Sequence, residues 1–179
     1  RWDAKCDARL HALMCYVQST VDHQMVGFIG DSVDNLSLHL ACDSDFAGCP
    51  YTLRSTSGHH CDIQGRFSRF PWSACSAQQT ATANSSTEAE LVSMGKGIKD
   101  RGDPALKLFE LIFSNRSSSE SLVIQLHEDN NAASSGAMSG KNPSCKSLDR
   151  TFGVAVRHIF ERFKSRDYKL VRTKTDFMS

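Results

Sequence analysis

The chain has 179 residues, 40% of them apolar and 23% charged, with a formal net charge of +1. This is the length of about one domain with an ordinary globular composition, which excludes a disordered or collagen-like polymer, and no apolar run approaches the ~20 residues of a membrane-spanning helix. The near-neutral charge conceals an asymmetry, since residues 141–179 hold ten Lys/Arg against four Asp/Glu and the first 140 residues hold eleven against sixteen.

Taken in chain order, Trp2, Cys6, Leu10, Leu13 and Val17 share one face of a helix, and residues 25–29 read as a short strand closed by Gly30-Asp31. Leu36, Leu38, Leu40 and Cys42 then alternate with Ser37 and His39, the pattern of a half-buried strand running into Asp43-Ser44-Asp45. After a Cys-Pro turn, a second strand lies around residues 59–63 and ends at Gly65, and a third spans residues 70–74. Short strands joined by tight turns make an antiparallel meander. Helices begin after Ser85. One covers residues 88–99, and another starts at Asp103-Pro104, with Asp as the cap and Pro in the first turn. Ala105, Leu108, Phe109 and Ile112 form its apolar stripe.

Residues 114–121 are a polar loop, and residues 122–126 are apolar at nearly every position, as in an interior strand covered on both faces. A short helix over residues 130–138 and a loop over 139–147 come next. Phe152, Val156, Ile159, Phe160 and Phe163 mark an amphipathic helix, and residues 168–172 a final strand. The order implies an α/β fold: a mixed sheet built from a three-strand meander plus parallel strands, with helices packed on it.

The seven cysteines are odd in number and form no C-x-x-C pair, which points to reduced thiols and an intracellular setting, cytoplasm or nucleus. His59, His60 and Cys61, with Cys49 upstream, match no zinc-site spacing, and strand alternation splits the three between two faces. The basic C-terminal region beside an acidic body suits a chain that touches phosphates while holding a cation, although a solvated helix face gives the same count.

Three acids stand at the ends of elements. Asp43 and its neighbour Asp45 are natural turn formers, Thr87-x-x-Glu90 has the form of a capping box, and Asp129 is suited to cap the helix beginning at Asn130. Their joint placement adds a second reading. If the strand ending at Asp43 pairs in parallel with the strand before Asp129, both carboxylates emerge at one sheet edge, where a crossing helix brings Glu90. Three such carboxylates repel one another unless a hard cation lies among them. Oxygen-only ligation suits Mg²⁺ or Mn²⁺, two of which can clamp a phosphoryl group for attack by water.

The segment Cys42-Asp43-Ser44-Asp45-Phe46-Ala47-Gly48-Cys49 resembles the S-D-A-D-W-A-G-C stretch of the ribonuclease H domain in copia-type retrotransposon polyproteins. Arg54-Ser55-Thr56-Ser57-Gly58 matches the R-S-T-S-G of that family, and Ser85-Ser86-Thr87-Glu88-Ala89-Glu90 its S-S-T-E-A-E. Glu128-Asp129-Asn130-Asn131-Ala132 is similar to C-D-N-Q-S-A, and Tyr168-Lys169-Leu170-Val171 to the last strand. The opening helix is similar to the end of the reverse-transcriptase connection that precedes this domain.

The resemblance implies a ribonuclease H-like five-stranded mixed sheet flanked by helices. Residues 1–34 are then the tail of the connection and residues 35–179 the ribonuclease H-like domain. It implies metal-dependent hydrolysis of RNA in RNA–DNA hybrids, with Asp43, Glu90 and Asp129 as catalytic, Mg²⁺- or Mn²⁺-binding acids. Arg54, Ser55, Thr56 and Asn130 become substrate contacts, Asp45 a turn or outer partner, and the reverse-transcriptase domain of the same polyprotein a partner. Backbone contacts of this kind position a substrate, and a 2′-hydroxyl distinguishes RNA from DNA.

Departures accompany the match. Ala77-Gln78-Gln79 stands where the family has a lysine pair, and Asp149-Arg150-Thr151-Phe152-Gly153 where it has R-T-K-H-I. The family's fourth acid and its helix lie beyond Ser179, with Asp176 nearby, so the expectation is a C-terminally truncated domain, cut from a longer polypeptide, with an incomplete two-ion site. A non-catalytic structural or accessory subunit of a larger assembly, and a hybrid-binding module without cleavage, stand as the alternatives.

Overall fold

The computed structural model describes residues 2–113, 122–140 and 156–173. Five strands, β1 (Ser37–Asp45), β2 (Thr56–Gly65), β3 (Ser68–Gln78), β4 (Ile124–Glu128) and β5 (Tyr168–Arg172), form one sheet in the order β3-β2-β1-β4-β5. β1 pairs antiparallel with β2, and β2 with β3. β4 joins β1 in parallel and β5 joins β4 in parallel. This is the expected meander with parallel strands added.

The alternation of β1 is what makes it central. Leu38, Leu40 and Cys42 point to one face and are at most 3% exposed, and Cys61, Ile63, Ile124 and Leu126 lie beside them in the same core. Helices α2 (Ser86–Gly97), α3 (Asp103–Ile112), α4 (Asn131–Ser139) and α5 (Val156–Lys164) supply Leu91, Met94, Leu106, Phe109, Ala133 and Ile159 to that core. α1 (Ala4–Ser19) precedes the sheet.

β4 begins two residues later than its apolar run suggests. Ile124 N donates to Asp167 O at 2.9 Å, and pairing with β5 runs from Ile124↔Tyr168 to Glu128↔Arg172, so neighbours on the sheet decide the ends of the strand. Nor is it fully covered on both faces, because Gln125 and His127 are only half-buried. The face opposite the core carries a polar seam instead. His39 Nδ1 and His127 Nε2 are 2.7 Å apart, Ser37 Oγ lies 2.9 Å from His39 Nε2, and Thr173 Oγ1 lies 2.8 Å from His127 Nδ1. Burial first, and then the neighbouring His127, push His39 down to about 4.

The two helices expected around Gly102 form one continuous rod. A π-helical turn, Ile98–Gly102, joins α2 to α3, and both Gly102 and Asp103 have right-handed helical backbone, so Asp103 is not a cap. Its carboxylate instead accepts from Tyr168 Oη at 2.8 Å and pairs with Arg162, and Gly102 packs so close to the Tyr168 ring that any side chain there would collide with it. The extra residue of a π turn rotates the remainder of the helix about its axis. Accordingly Ala105, Leu106 and Phe109 are buried, whereas Leu108 and Ile112 are exposed.

At the N-terminal end, Asp3 caps α1 by accepting from Cys6 N at 2.9 Å, yet no residue of α1 is buried. The strand expected over residues 25–29 is reduced to a single bridge, Phe28 with Arg69, because only Phe28 meets the edge of β3. Asp31 fastens this arm to the β2–β3 turn, its Oδ2 accepting from Phe67 N at 2.7 Å and Ser68 Oγ at 2.6 Å. The loop over residues 114–121, residues 141–155 with Cys145, Asp149 and Phe152, and Asp176 lie outside the described residues.

The start of α2 also differs from the expected Thr87–Glu90 box. Ser85 is the cap, its Oγ accepting from Glu88 N at 3.1 Å, while Glu88 Oε2 accepts from Asn84 N at 2.9 Å. Ser85→Ala is therefore expected to lower stability by about 1 kcal/mol. Thr87→Ala is expected to stay within about 0.5 kcal/mol of the parent. Urea denaturation of both variants measures the difference, and equal losses contradict the assignment.

Candidate metal centre

Because β1 and β4 run in parallel, with Leu40 opposite Leu126 and Ala41 opposite His127, Asp43 near the end of β1 and Asp129 just past β4 leave the sheet at the same end. Glu90 comes from α2, which is held directly over this end. Ser93 Oγ donates to Asp43 O at 2.8 Å, and His59 Nε2 lies 2.9 Å from Ser93 O. Gln79 Nε2 donates to Ser57 Oγ and Ala89 O, each at 3.0 Å, and so serves as a buried staple between β2 and α2. Gly97 allows the helix to approach, since a Cβ there would meet Cys42 Sγ at 2.7 Å. With Glu88 committed to the helix start, Glu90 faces the sheet end.

The outcome is a cluster in which Asp43, Glu90 and Asp129 each place a carboxylate oxygen within 4.8 Å of the others. Asp43 is exposed, Glu90 is 6% exposed and Asp129 is half-buried, so the cluster opens to solvent on one side. Burial pushes Glu90 up to about 7, and Asp43 and Asp129 add to the rise. Ser44 N donates to Asp43 Oδ1 at 2.8 Å.

A further acid, not singled out by any sequence motif, lies beneath the cluster. Glu128 is the inward residue at the end of β4 and is wholly buried, its Oε1 accepting from Asn130 N at 3.1 Å. Burial pushes it up to about 9, with Glu90 the largest charge contribution. The alternation Ile124, Leu126, Glu128 was the available signal, hidden because the apolar run ends at Leu126. Glu90 Oε2 and Glu128 Oε2 are both buried with no hydrogen-bond partner among the described residues. Orphaned carboxylate oxygens in an all-oxygen donor set fit a hard divalent cation, which relieves the repulsion among the three acids.

The other expected contacts separate into two groups. Arg54 is exposed in the β1–β2 loop, and Thr56 is half-buried with its backbone N held by Asp45 Oδ1. Asp45 thus acts as a clasp on that loop. Ser55 is fully buried and its Oγ accepts from Ala47 N at 3.1 Å, so its side chain fastens the loop. Asn130 Oδ1 accepts from Ala132 N and Ala133 N, both at 3.0 Å, making Asn130 the cap of α4 in place of Asp129. Only its amide nitrogen is left for another contact. His59 and Cys61 point into the core side of β2 and His60 to the other face.

No protein family and no curated protein matches the sequence. Solved structures resemble its fold. The ribonuclease H1 of the halophilic archaeon Halobacterium salinarum NRC-1 superposes with a TM-score of 0.53 at 11% identity, over 79% of this chain and 89% of that chain. LC11-RNase H1, isolated from compost by a metagenomic approach, gives a TM-score of 0.48 at 12% identity, over 79% and 87%. At 11% identity the likeness to the Halobacterium enzyme speaks for the fold: this chain has the ribonuclease H-like fold, a mixed five-stranded sheet flanked by helices.

Glu90 and Glu128 both lie above the ordinary carboxyl value of 4.5 in the folded protein, so the folded state holds these protons more tightly than the unfolded chain. Their stabilisation is complete below that value and is lost as pH rises through about 7 for Glu90 and about 9 for Glu128. Metal-free protein is expected to melt at progressively lower temperature across this window, and Glu128→Gln to flatten its upper part. Thermal melts in chelator test this, and a flat pH profile contradicts it.

Proposed function

We propose that the chain is the ribonuclease H-like domain of a copia-type retroelement polyprotein and hydrolyses the RNA strand of RNA–DNA hybrids with the help of Mg²⁺ or Mn²⁺. The observation that carries this reading is the convergence of Asp43, Glu90 and Asp129 at one sheet end of a ribonuclease H-like fold. Residues 35–179 are the nuclease-like domain on this reading, and residues 1–34 the tail of a reverse-transcriptase connection. The reverse-transcriptase domain is then a partner within the same polyprotein, in cytoplasm or nucleus.

Asp43, Glu90 and Asp129 hold the cation, and their joint negative charge selects a hard divalent ion over a phosphate. When bound, such an ion polarises a phosphoryl oxygen and lowers the pKa of its water, the chemistry needed for phosphodiester hydrolysis. The chain's own residues prepare the place. Ser44 N orients the Asp43 carboxylate, Glu128 holds the backbone N–H of Asn130 next to Asp129, and α2 keeps Glu90 shielded from bulk water. Arg54 lies on the β1–β2 loop, where a cation can steady a phosphate backbone without reading sequence. Thr56 and the Asn130 amide are the lesser contacts, and Ser55 fastens the loop.

Cleavage of a labelled RNA–DNA hybrid by the 179-residue chain is expected with Mg²⁺ and not with chelator. Asp43→Asn, Glu90→Gln and Asp129→Asn are each expected to abolish it while leaving the far-ultraviolet circular dichroism unchanged. Cleavage that persists in chelator, or that survives Asp129→Asn, sinks the proposal.

A further inference from the structure

β5 is an edge strand, paired only with β4, and beside it runs a groove of about 580 Å³ that the carboxylate cluster does not use. Met138, Phe163 and Leu170 give it an apolar floor, while Arg166, Lys169 and Arg172 line it with positive charge and no acid does. All three cations are exposed, and none of their side chains has an ion-pair or hydrogen-bond partner among the described residues. Arg162, one turn away on α5, makes the contrast: Asp103 and Asp167 both engage it, so it holds the fold together. Arg166 also has a left-handed backbone, φ 66°, a conformation that usually goes to Gly or Asn after a helix.

The groove is aligned with the candidate metal centre. Arg172 is opposite Glu128 in the β4–β5 register, and Glu128 immediately precedes Asp129. Two strand spacings put Arg172 roughly 10 Å from the level of Asp43, and Lys169 lies about another 10 Å down the edge. The three cations therefore border a groove that starts near the carboxylates and leads away from them, with Arg172 and Leu170 on one face of β5 and Lys169 on the other.

We propose that this groove binds a single-stranded extension of the nucleic acid whose hybrid part lies on the carboxylates, an inference that rests on the hybrid-cleavage reading. Phosphates follow the sheet edge from Arg172 to Arg166, within reach of Lys169 from its other side, and bases lie over the apolar floor, with the Phe163 ring as the stacking surface. A positive groove beside an aromatic platform is the usual physical solution for binding single strands. Its size suits a single strand rather than a duplex, and three cations spaced along one edge suit a regularly charged backbone better than an acidic peptide.

The test measures affinity by fluorescence anisotropy, on the full chain in the Asp129→Asn background, so that nothing is cleaved. The probes are a blunt RNA–DNA hybrid, the same hybrid with a six-nucleotide single-stranded extension, and the single strand alone. The extension is expected to tighten binding roughly tenfold at low salt. Lys169→Glu with Arg172→Glu is expected to remove that gain and to reduce the salt slope by about 1.4, for two lost phosphate contacts at ~0.7 each. Blunt-hybrid affinity should change less than about twofold, since these contacts belong to the extension. Lys169→Gln with Arg172→Gln, which adds no negative charge, should give the same pattern in a milder form and guards against misfolding of the charge-reversal variant.

An extension that adds nothing, or a gain that survives both double variants, overturns the proposal. So does a groove that ignores the single strand and binds an acidic amphipathic peptide in a Lys169-dependent way. Failure of the underlying reading looks different: the blunt hybrid is then neither bound nor cleaved by the parent chain, whatever the single strand does.

Discussion

The parallel pairing of β1 with β4 is the contact on which everything else in the molecule rests. Leu38 against Ile124 and Leu40 against Leu126 bury both strands in the same core, and the register they set carries each chain outward at one sheet end. A slip of one residue would turn every side chain of β4 to the other face. Asp129 would then leave the cluster, and Glu128 would be turned out of the core. The hydrophobic requirement of the core and the chemical requirement of the site are thus met by one register.

The core also tolerates an electrostatic load at this end. Glu90 and Glu128 are taken out of water next to Asp43 and Asp129, and both respond by holding their protons more tightly. Burying a carboxyl without a full set of hydrogen bonds is costly, and the two orphaned oxygens show that the described residues do not offset that cost. The surroundings of the cluster are correspondingly well tied: Ser93 to the backbone of Asp43, Gln79 to α2, Asn130 to the first turn of α4. Rigid surroundings around an unsatisfied centre are what a preorganised ion site requires.

Much of the fold was legible because its signals are local. The Leu36–Cys42 alternation, the Ser85 segment and the apolar face of α5 each declare an element within a window of a few residues. The errors fall where a distant partner intervened. Asp103 resembles a cap until Tyr168 and Arg162 claim its carboxylate from across the fold. The apolar stripe of α3 is shifted by a π turn that Gly102 permits against a ring many residues away. Residues 25–29 have strand propensity but meet a neighbouring strand at Phe28 alone.

The sequence by itself determined the order of strands and helices, the three acids at their ends and the resemblance to a ribonuclease H domain, because periodicity, turn chemistry and motif spacing are properties of neighbouring residues. Only the tertiary structure decided that Glu90 is free to join Asp43 and Asp129, that Glu128 lies buried beneath them, and that Arg166, Lys169 and Arg172 line one groove. Those outcomes depend on which groups from remote parts of the chain come within a hydrogen bond's reach or a Coulomb interaction's range. That is set by strand register and helix placement, and by no local pattern of residues.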